Sequence, residues 1–313
     1  MRDRHHGSAR WPGAFLLLAV TFLLGGCAST PPLSEGTRAS VPSRLVLDEV
    51  PFHGQRQYQC GPATLAMMLG HAGRPAAVDE LIPQVFLPGR EGSVQPEMLA
   101  AVRRHGRIPF VIPGSMDALV QETAAGHPVA VLQNLSLSWW PAWHYAVVVG
   151  YDLEREVLVL HSGETPFREV EQGRFDATWA RSDRWAFVVL PPGDLPASSV
   201  GRSAIRAVAD FEAVQGSEAA LPAWQALVAR RPEMAMAQFG LGNALAASGD
   251  RRGAAAAFER ATRNDPGLAA AWLNLGVVQR SLGETAAADE ALERAAGIPG
   301  PLQGRAQSLL EAR

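Results

Sequence analysis

Two residues of this chain combine side-chain chemistry and context suited to nucleophilic catalysis, Cys60 and His144. Cys60 is followed by Gly61-Pro62 and then by an apolar run that predicts a helix over residues 63–69. A proline is tolerated in the first helical turn, because the N–H that it lacks would have no helical partner there. We therefore expect Cys60 at a helix N-terminus, where the helix dipole stabilises a thiolate and lowers the thiol pKa.

A nucleophilic thiol needs a base, and His144 opens the apolar run 144–151. This run predicts a buried strand whose first residue projects into a cleft. The 84 residues between Cys60 and His144 do not prevent contact, because such partners meet in space rather than in sequence. The pair indicates attack of the thiolate on a carbonyl, with the histidine moving the proton.

The spacing of Gln55 and Cys60-Gly61-Pro62-Ala63, followed by the run 144–151, resembles the papain-like cysteine peptidases that process double-glycine leader peptides of bacteriocin precursors. It is most similar to their stand-alone secreted relatives, which include lipoproteins with tetratricopeptide repeats. The resemblance covers about residues 50–192. It implies that Cys60 is the nucleophile and His144 the general base and acid. It also implies that the Gln55 amide and the Cys60 N–H stabilise the oxyanion.

The position of the glutamine departs from the family pattern. Gln55 stands five residues before Cys60, whereas the family usually places its glutamine six residues before the cysteine. Gln57 and Gln59 are nearby alternatives for the same role.

The residue that orients the histidine also departs from the pattern. The family has an Asp or Asn on the strand after the histidine, and the matching place in the run 157–163 holds Ser162. A serine can accept a hydrogen bond from His144, but it supplies no negative charge to stabilise an imidazolium. Asp152 is the nearest carboxylate in sequence, although it lies in a turn-like segment.

Three tryptophans, Trp139, Trp140 and Trp143, lie just before His144. They either line a substrate cleft or pack in the core and at its rim, and we favour packing because it is the commoner fate of aromatic residues. Three further aromatic residues are predicted to be core: Phe175, Trp179 and Trp185.

The elements that must position these residues form an α+β pattern over residues 45–192. Ser93 and Ser115 are candidate caps of helices that end near Gly106 and Gly126. Strand-like runs follow at residues 128–132, 145–149, 157–160 and 185–190. We therefore predict a papain-like cysteine peptidase domain over 45–192 and a Pro- and Ser-containing linker over 193–200.

Residues 201–313 repeat with a period of 34. The recurring pairs are Leu241-Gly242 with Leu275-Gly276, Gly249 with Gly283, Ala254 with Ala288, Ala261 with Ala295, and Pro232 with Pro266. The period and the small residues resemble the tetratricopeptide repeat, with a degenerate earlier unit at about 201–234. This predicts an all-α tetratricopeptide-repeat domain that binds a protein partner or substrate.

The N-terminus has the features of an export signal. Arginines, an apolar run of about 11 residues from Ala14 to Leu24, and Gly25-Gly26 precede Cys27. This order resembles a bacterial lipoprotein signal over residues 1–26, with the lipid on Cys27 and a tether over 27–44. Ala28 favours release to the outer membrane, so we expect a cell-envelope lipoprotein that faces the periplasm.

Composition excludes several other classes of protein. The chain has 313 residues, a net charge of −3 and 47% apolar residues, so it is neither disordered nor a basic nucleic-acid binder. Two cysteines exclude a disulfide framework, and the histidines show no metal-ligand spacing, so we expect no metal and no cofactor.

The predicted function is a lipid-anchored envelope cysteine peptidase whose repeats bind a protein partner or its substrate. The alternative is a weakly active or inactive papain-like lipoprotein that binds peptides as an envelope scaffold. A third hypothesis is acyl transfer to an acceptor other than water by the same thioester chemistry.

Overall fold

The computed structural model describes residues 33–54, 59–90 and 92–312. An α+β domain comes first, and the described chain from residue 202 onward forms helices, which confirms the predicted fold class. The predicted site residues Gln55 and Cys27 lie outside the described residues, as does Gln57. None of the helices in the described ranges has the length and apolar character needed to cross a membrane.

The first domain contains the catalytic candidates and is built from short helices and a large sheet. Its helices are α1 (Glu35–Ser40), α2 (Cys60–His71), α3 (Val78–Val85), α4 (Gln95–Arg104), α5 (Met116–Ala124) and α6 (Gln172–Trp179). Its strands are β1 (Arg44–Val46), β2 (Phe86–Leu87), β3 (Gly92–Ser93), β4 (Ile108–Val111), β5 (Val129–Asn134), β6 (Trp143–Asp152), β7 (Val157–Ser162), β8 (Thr165–Glu171) and β9 (Ala186–Leu190). The four strand-like runs of the sequence therefore correspond to β5, β6, β7 and β9.

The main sheet is antiparallel, and its strands β5, β6, β7 and β9 are buried on both faces over most of their length. Its strand order is β4-β9-β5-β6-β7-β8, and β1 adds to β6. Alternate residues of β6 enter two different cores, as the period-two geometry of a strand requires. Val147 and Val149 pack with α2, α3 and α4, whereas Ala146 and Val148 pack with α5 and α6.

The helix that carries Cys60 begins where its sequence predicts. Cys60 is the first residue of α2, and Pro62 lies in the first turn. Gly61 is required by a close approach, because a Cβ at this position would overlap the Ser93 hydroxyl. All residues from Gly61 to Leu69 are buried, so α2 is held on every side.

The two predicted helix caps have different outcomes. Ser115 caps α5, since its hydroxyl accepts a hydrogen bond from the Ala118 N–H at 3.2 Å. The cap predicted at Ser93 is wrong, because Ser93 ends β3 and α4 begins after Val94 without a side-chain cap. Close packing of Ser93 against the start of α2 accounts for this difference.

The second part of the chain is a series of helical hairpins. They are α7 (Arg202–Gln215), α8 (Ser217–Arg230), α9 (Ala235–Ala247), α10 (Arg251–Asn264), α11 (Ala269–Ser281), α12 (Thr285–Gly297) and α13 (Gln303–Glu311). Gly242 allows α9 to approach Phe258 of α10, and Gly276 allows α11 to approach Leu292 of α12. Gly242 and Gly276 are therefore helix-contact positions, whereas Gly249 and Gly283 have positive φ in the turns after α9 and α11. The degenerate unit at 201–234 forms the α7–α8 hairpin.

The α7 helix packs against the sheet of the first domain. Val208 and Phe211 of α7 are buried in the same core cluster as Phe110 of β4. The Arg103 guanidinium donates to the Asp210 carboxylate at 2.8 Å, which adds a polar contact between α4 and α7. The first hairpin thus shares its core with the peptidase-like domain.

The segment 193–200 is held by a buried carboxylate. Glu122 of α5 accepts hydrogen bonds from the backbone N–H groups of Ala197 and Ser198, at 3.1 and 2.8 Å. The same carboxylate also lies 2.8 Å from the His127 ring. The segment predicted as a linker therefore has a fixed attachment, and the predicted domain limits stay predictions.

The shared core leads to a test with truncated chains. We expect a chain ending at residue 200 to melt at a lower temperature than one ending at residue 231, because removing α7 exposes β4. Burial of Val208 and Phe211 alone is worth roughly 3–6 kcal/mol. Circular dichroism melting measures the difference. Equal melting temperatures, without extra binding of an apolar dye by the shorter chain, would contradict the shared core.

Candidate active site

The Cys60 thiol lies against the beginning of β6. Three backbone N–H groups, those of Tyr145, Gly61 and Cys60, lie near its sulfur and favour negative charge there. Tyr145 is the residue next to His144 in the chain, so Cys60 and the predicted base lie at the same end of β6. A cluster of backbone N–H groups is also the arrangement that stabilises negative charge on sulfur or on an oxyanion.

The structure corrects the expected lowering of the thiol pKa. Burial raises the pKa of the Cys60 thiol above its ordinary value, and the three backbone N–H groups offset only part of this effect. The physical cause is the removal of the thiolate from water, since α2 is buried in an apolar cluster. The resting cysteine is therefore a neutral thiol.

His144 is hydrogen bonded to Ser162, as the sequence predicts. Their side chains extend from neighbouring strands β6 and β7, and 2.9 Å separates His144 Nε2 from Ser162 Oγ. When Nε2 donates to Ser162, Nδ1 is the ring nitrogen that can take a proton. A serine therefore stands where the resembling family orients its histidine with Asp or Asn.

The surroundings of His144 favour its neutral form. Burial lowers its pKa to about 4, and the positive charge of Arg168 contributes in the same direction. The imidazole is therefore unprotonated at neutral pH and able to act as a base. An imidazolium formed during reaction would meet the Arg168 charge without a carboxylate as its hydrogen-bond partner.

Asp152 does not take the orienting role that the sequence left open for it. It is the last residue of β6, eight residues from His144, which corresponds to roughly 26 Å along a strand. Its carboxylate accepts hydrogen bonds from the backbone N–H groups of Glu154 and Arg155, at 3.1 and 3.0 Å. Asp152 therefore stabilises the turn between β6 and β7.

The three tryptophans before His144 are exposed, and the packing role that we favoured for them is wrong. Their side chains lie on the loop between β5 and β6, with 77%, 71% and 54% of Trp139, Trp140 and Trp143 accessible to solvent. The aromatic residues predicted as core are buried at Phe175 and Trp179 and half-buried at Trp185.

Sequence reasoning missed two groups at this site. The N–H of Tyr145 is a backbone donor, so no side-chain pattern indicates it. Arg168 reaches the site from β8, where it pairs with Leu160 of β7. If the sequence analysis had paired β7 and β8 as a hairpin, it would have placed Arg168 near Ser162.

The oxyanion donors stay partly a prediction. The backbone N–H of Cys60 contacts its own sulfur, whereas Gln55 lies outside the described residues. Gln59 precedes α2, and its carbonyl accepts the Ala63 N–H at 3.1 Å. Among the residues that the structure describes, no group of three or more His, Cys, Asp or Glu could hold a metal ion.

Comparison with known families gives two matches along the chain. Residues 47–186 match the model of the peptidase C39-like family. Residues 207–267 and 242–301 match the model of the tetratricopeptide repeat. These matches confirm the predicted resemblance to bacteriocin-processing-type peptidases followed by tetratricopeptide repeats. No curated protein matches this sequence.

Solved structures resemble the two parts separately. A putative C39-like peptidase from Bacillus anthracis is 18% identical, with a TM-score of 0.39, and the match covers 47% of this chain and 97% of that one. The peptidase domain of Streptococcus ComA, a bifunctional ABC transporter, is also 18% identical, with a TM-score of 0.37 and coverage of 45% and 96%. The match to MamA has 24% identity and a TM-score of 0.33, and covers 35% of this chain and 64% of MamA.

The electrostatics of the site lead to a test of thiol reactivity. Because burial raises the pKa of Cys60, we expect alkylation by iodoacetamide to be slow at neutral pH. The alkylation rate should then rise only when the pH exceeds the pKa of a free cysteine thiol, about 8.5. The His144→Ala variant should show a similar pH midpoint, because the neutral imidazole does not stabilise the thiolate. A rate plateau below pH 7 that disappears in His144→Ala would instead demonstrate a preformed thiolate–imidazolium pair.

Proposed function

We propose that this chain, whose residues 47–186 match the model of the peptidase C39-like family, hydrolyses peptide bonds with Cys60 as its nucleophile. One observation carries the proposal. The Cys60 thiol contacts the start of β6, where His144 is hydrogen bonded to Ser162. This arrangement contains a nucleophile, a base and a group that orients the base, which is the set required for acyl transfer through a thioester.

The mechanism begins from a neutral thiol and a neutral imidazole. As sulfur attacks the peptide carbonyl, the thiol proton passes to His144, and the Cys60 backbone N–H stabilises the oxyanion. His144 then protonates the leaving amine, which breaks the C–N bond and leaves an acyl group on Cys60. Water, deprotonated by His144, attacks the thioester and releases the carboxylic acid and the thiol.

The wider setting that we propose is the bacterial envelope. The lipoprotein-type sequence before Cys27 supports anchoring of the chain to a membrane by a lipid, with the outer membrane as its location. The tetratricopeptide repeats support binding of a protein partner or a protein substrate. Neither role calls for a cofactor, and the near-neutral charge gives no reason to expect nucleic acid.

A second candidate function is peptide binding without turnover. Ser162 provides no negative charge for the imidazolium, and Arg168 opposes its formation. These observations favour a slow enzyme. If turnover is absent altogether, the domain is a binding module that keeps the peptide intact. Detection of an acyl-enzyme separates the two functions, because a binding module forms no covalent intermediate.

The first experiment tests the nucleophile. We expect Cys60→Ala to abolish hydrolysis of peptides and the acyl adduct on the protein, because the proposed thioester forms on the Cys60 sulfur. Mass spectrometry of the protein and of a peptide library measures both. His71→Gln is the matched control at the opposite end of α2, where the His71 ring is hydrogen bonded to the Gly126 carbonyl, and it should keep activity. Undiminished hydrolysis by Cys60→Ala would contradict the proposed site.

The second experiment places a negative charge beside His144. We expect Ser162→Asp to raise kcat/KM by roughly tenfold, about 1.4 kcal/mol in barrier height, because a carboxylate beside Nε2 stabilises the imidazolium. The pKa of His144 should rise from about 4 in the same variant, and NMR titration of its ring protons measures it. Ser162→Asn is the neutral control of nearly equal size. Equal kcat/KM and equal His144 pKa in Ser162→Asp and Ser162→Asn would disprove the electrostatic account.

A further inference from the structure

The loop between β5 and β6 carries an unusual concentration of exposed apolar side chains. Five large residues within nine positions are each more than half exposed: Leu135, Leu137, Trp139, Trp140 and Trp143. We refer to residues 135–143 as the tryptophan loop. The stretch from 134 to 144 contains no Asp, Glu, Lys or Arg. Exposed apolar clusters of this kind mark sites of contact with another molecule or with a membrane.

The tryptophan loop has a defined conformation. Asn134 Oδ1 accepts hydrogen bonds from the backbone N–H groups of Ser136 and Ala142, at 3.0 and 2.9 Å. Arg181 donates to the carbonyls of Asn134 and Ser136 from the other side. The apolar side chains therefore point outward from a braced backbone.

The N-terminal end of the described chain leaves the fold at the same end of the sheet. The Ser34 N–H donates to the Asp117 carboxylate at 3.1 Å, and Asp117 lies in the first turn of α5. α5 follows the C-terminal end of β4. The Ile112 N–H, just past β4, bonds to the Ala186 carbonyl, and Ala186 pairs with Val131 of β5. Because β5 leads from there into the tryptophan loop, residue 34 and the loop lie towards one edge of the domain.

We propose that the tryptophan loop is a membrane-contact site, with its indole rings in the headgroup region of a phospholipid bilayer. The inference rests on the proposed lipid anchor at Cys27. Cys27 precedes Ser34 by seven residues, which span at most about 25 Å. The lipid thus holds this edge of the domain near the bilayer. Tryptophan is the side chain that best suits the interface, because its ring is apolar and its N–H is polar.

The tryptophan loop leads directly into the residue that we propose as the catalytic base. Trp143 is the last residue of the tryptophan loop, and His144 follows it on β6. Insertion of the loop brings His144 and the start of β6 close to the bilayer surface. The peptides that reach Cys60 are then those held at the membrane, in contrast to peptides diffusing freely. An apolar peptide that binds the loop directly is the competing occupant.

The test uses the full lipidated chain, purified from bacterial membranes and reconstituted into vesicles of phosphatidylethanolamine and phosphatidylglycerol at 3:1. Part of the phospholipid carries brominated acyl chains, which quench tryptophan fluorescence on contact. We expect quenching in the wild type and a loss of about half of it or more in Trp139→Ser/Trp140→Ser. Met236→Ser/Val277→Ser removes two exposed apolar residues from the repeats and should quench like the wild type.

Three outcomes would overturn the inference, and they differ in what they say about the anchor. Wild-type protein that floats with the vesicles but is not quenched keeps the anchor and excludes loop insertion. Protein that does not float with the vesicles contradicts both proposals. Equal quenching in the wild type and Trp139→Ser/Trp140→Ser excludes insertion of these two rings, and weaker binding of a soluble apolar peptide by this variant then assigns the loop to substrate. Quenching does not depend on Cys60, so an inactive enzyme leaves the test valid.

Discussion

Burial of α2 against the sheet is the constraint on which the rest of the site depends. The helix is apolar on all sides from Gly61 to Leu69, so it lies between the β6 face of the sheet and the smaller helices α3 and α4. This packing fixes the first residue of α2 against the first residues of β6. A small residue after Cys60 is needed because Ser93 fills the remaining space. The position of the thiol is thus a result of core packing.

The same burial determines the protonation states of the pair. Desolvation raises the pKa of Cys60 and lowers that of His144 to about 4, so both groups are neutral at rest. A family member with a carboxylate at the position of Ser162 would stabilise the imidazolium. In this chain Ser162 orients the His144 ring without adding a charge, and the positive charge of Arg168 opposes formation of the imidazolium. In the proposed mechanism, proton transfer therefore accompanies attack by sulfur.

The repeats are joined to the first domain through a common core. α7 covers β4, and Glu122 holds the segment between the two parts, so the orientation of the first hairpin is fixed by packing. Later hairpins continue from it through close helix contacts at Gly242 and Gly276. A partner bound by the repeats would consequently be held at a set distance from the active site. The tryptophan loop would place both near the membrane.

The sequence by itself determined the features that depend on local patterns. The helix after Cys60, the strand that begins near His144, the cap at Ser115 and the 34-residue repeat all follow from periodicity and turn residues, which act over a few positions. The place of Ser162 beside His144 followed from the strand order of a resembling family. These local patterns cover the fold class, whereas the roles of the site residues stay predictions.

Tertiary structure alone decided the features that depend on what surrounds each group. The thiol pKa is one, because the cost of removing charge from water depends on how many distant segments cover Cys60. The exposure of Trp139 and Trp140 is another, since the same apolar residues can occur in a core or on an exposed loop, and the local sequence does not distinguish the two. The docking of α7 on β4 joins residues about a hundred positions apart. Burial and long-range contact are properties of the whole fold, so they appear only when the chain is folded.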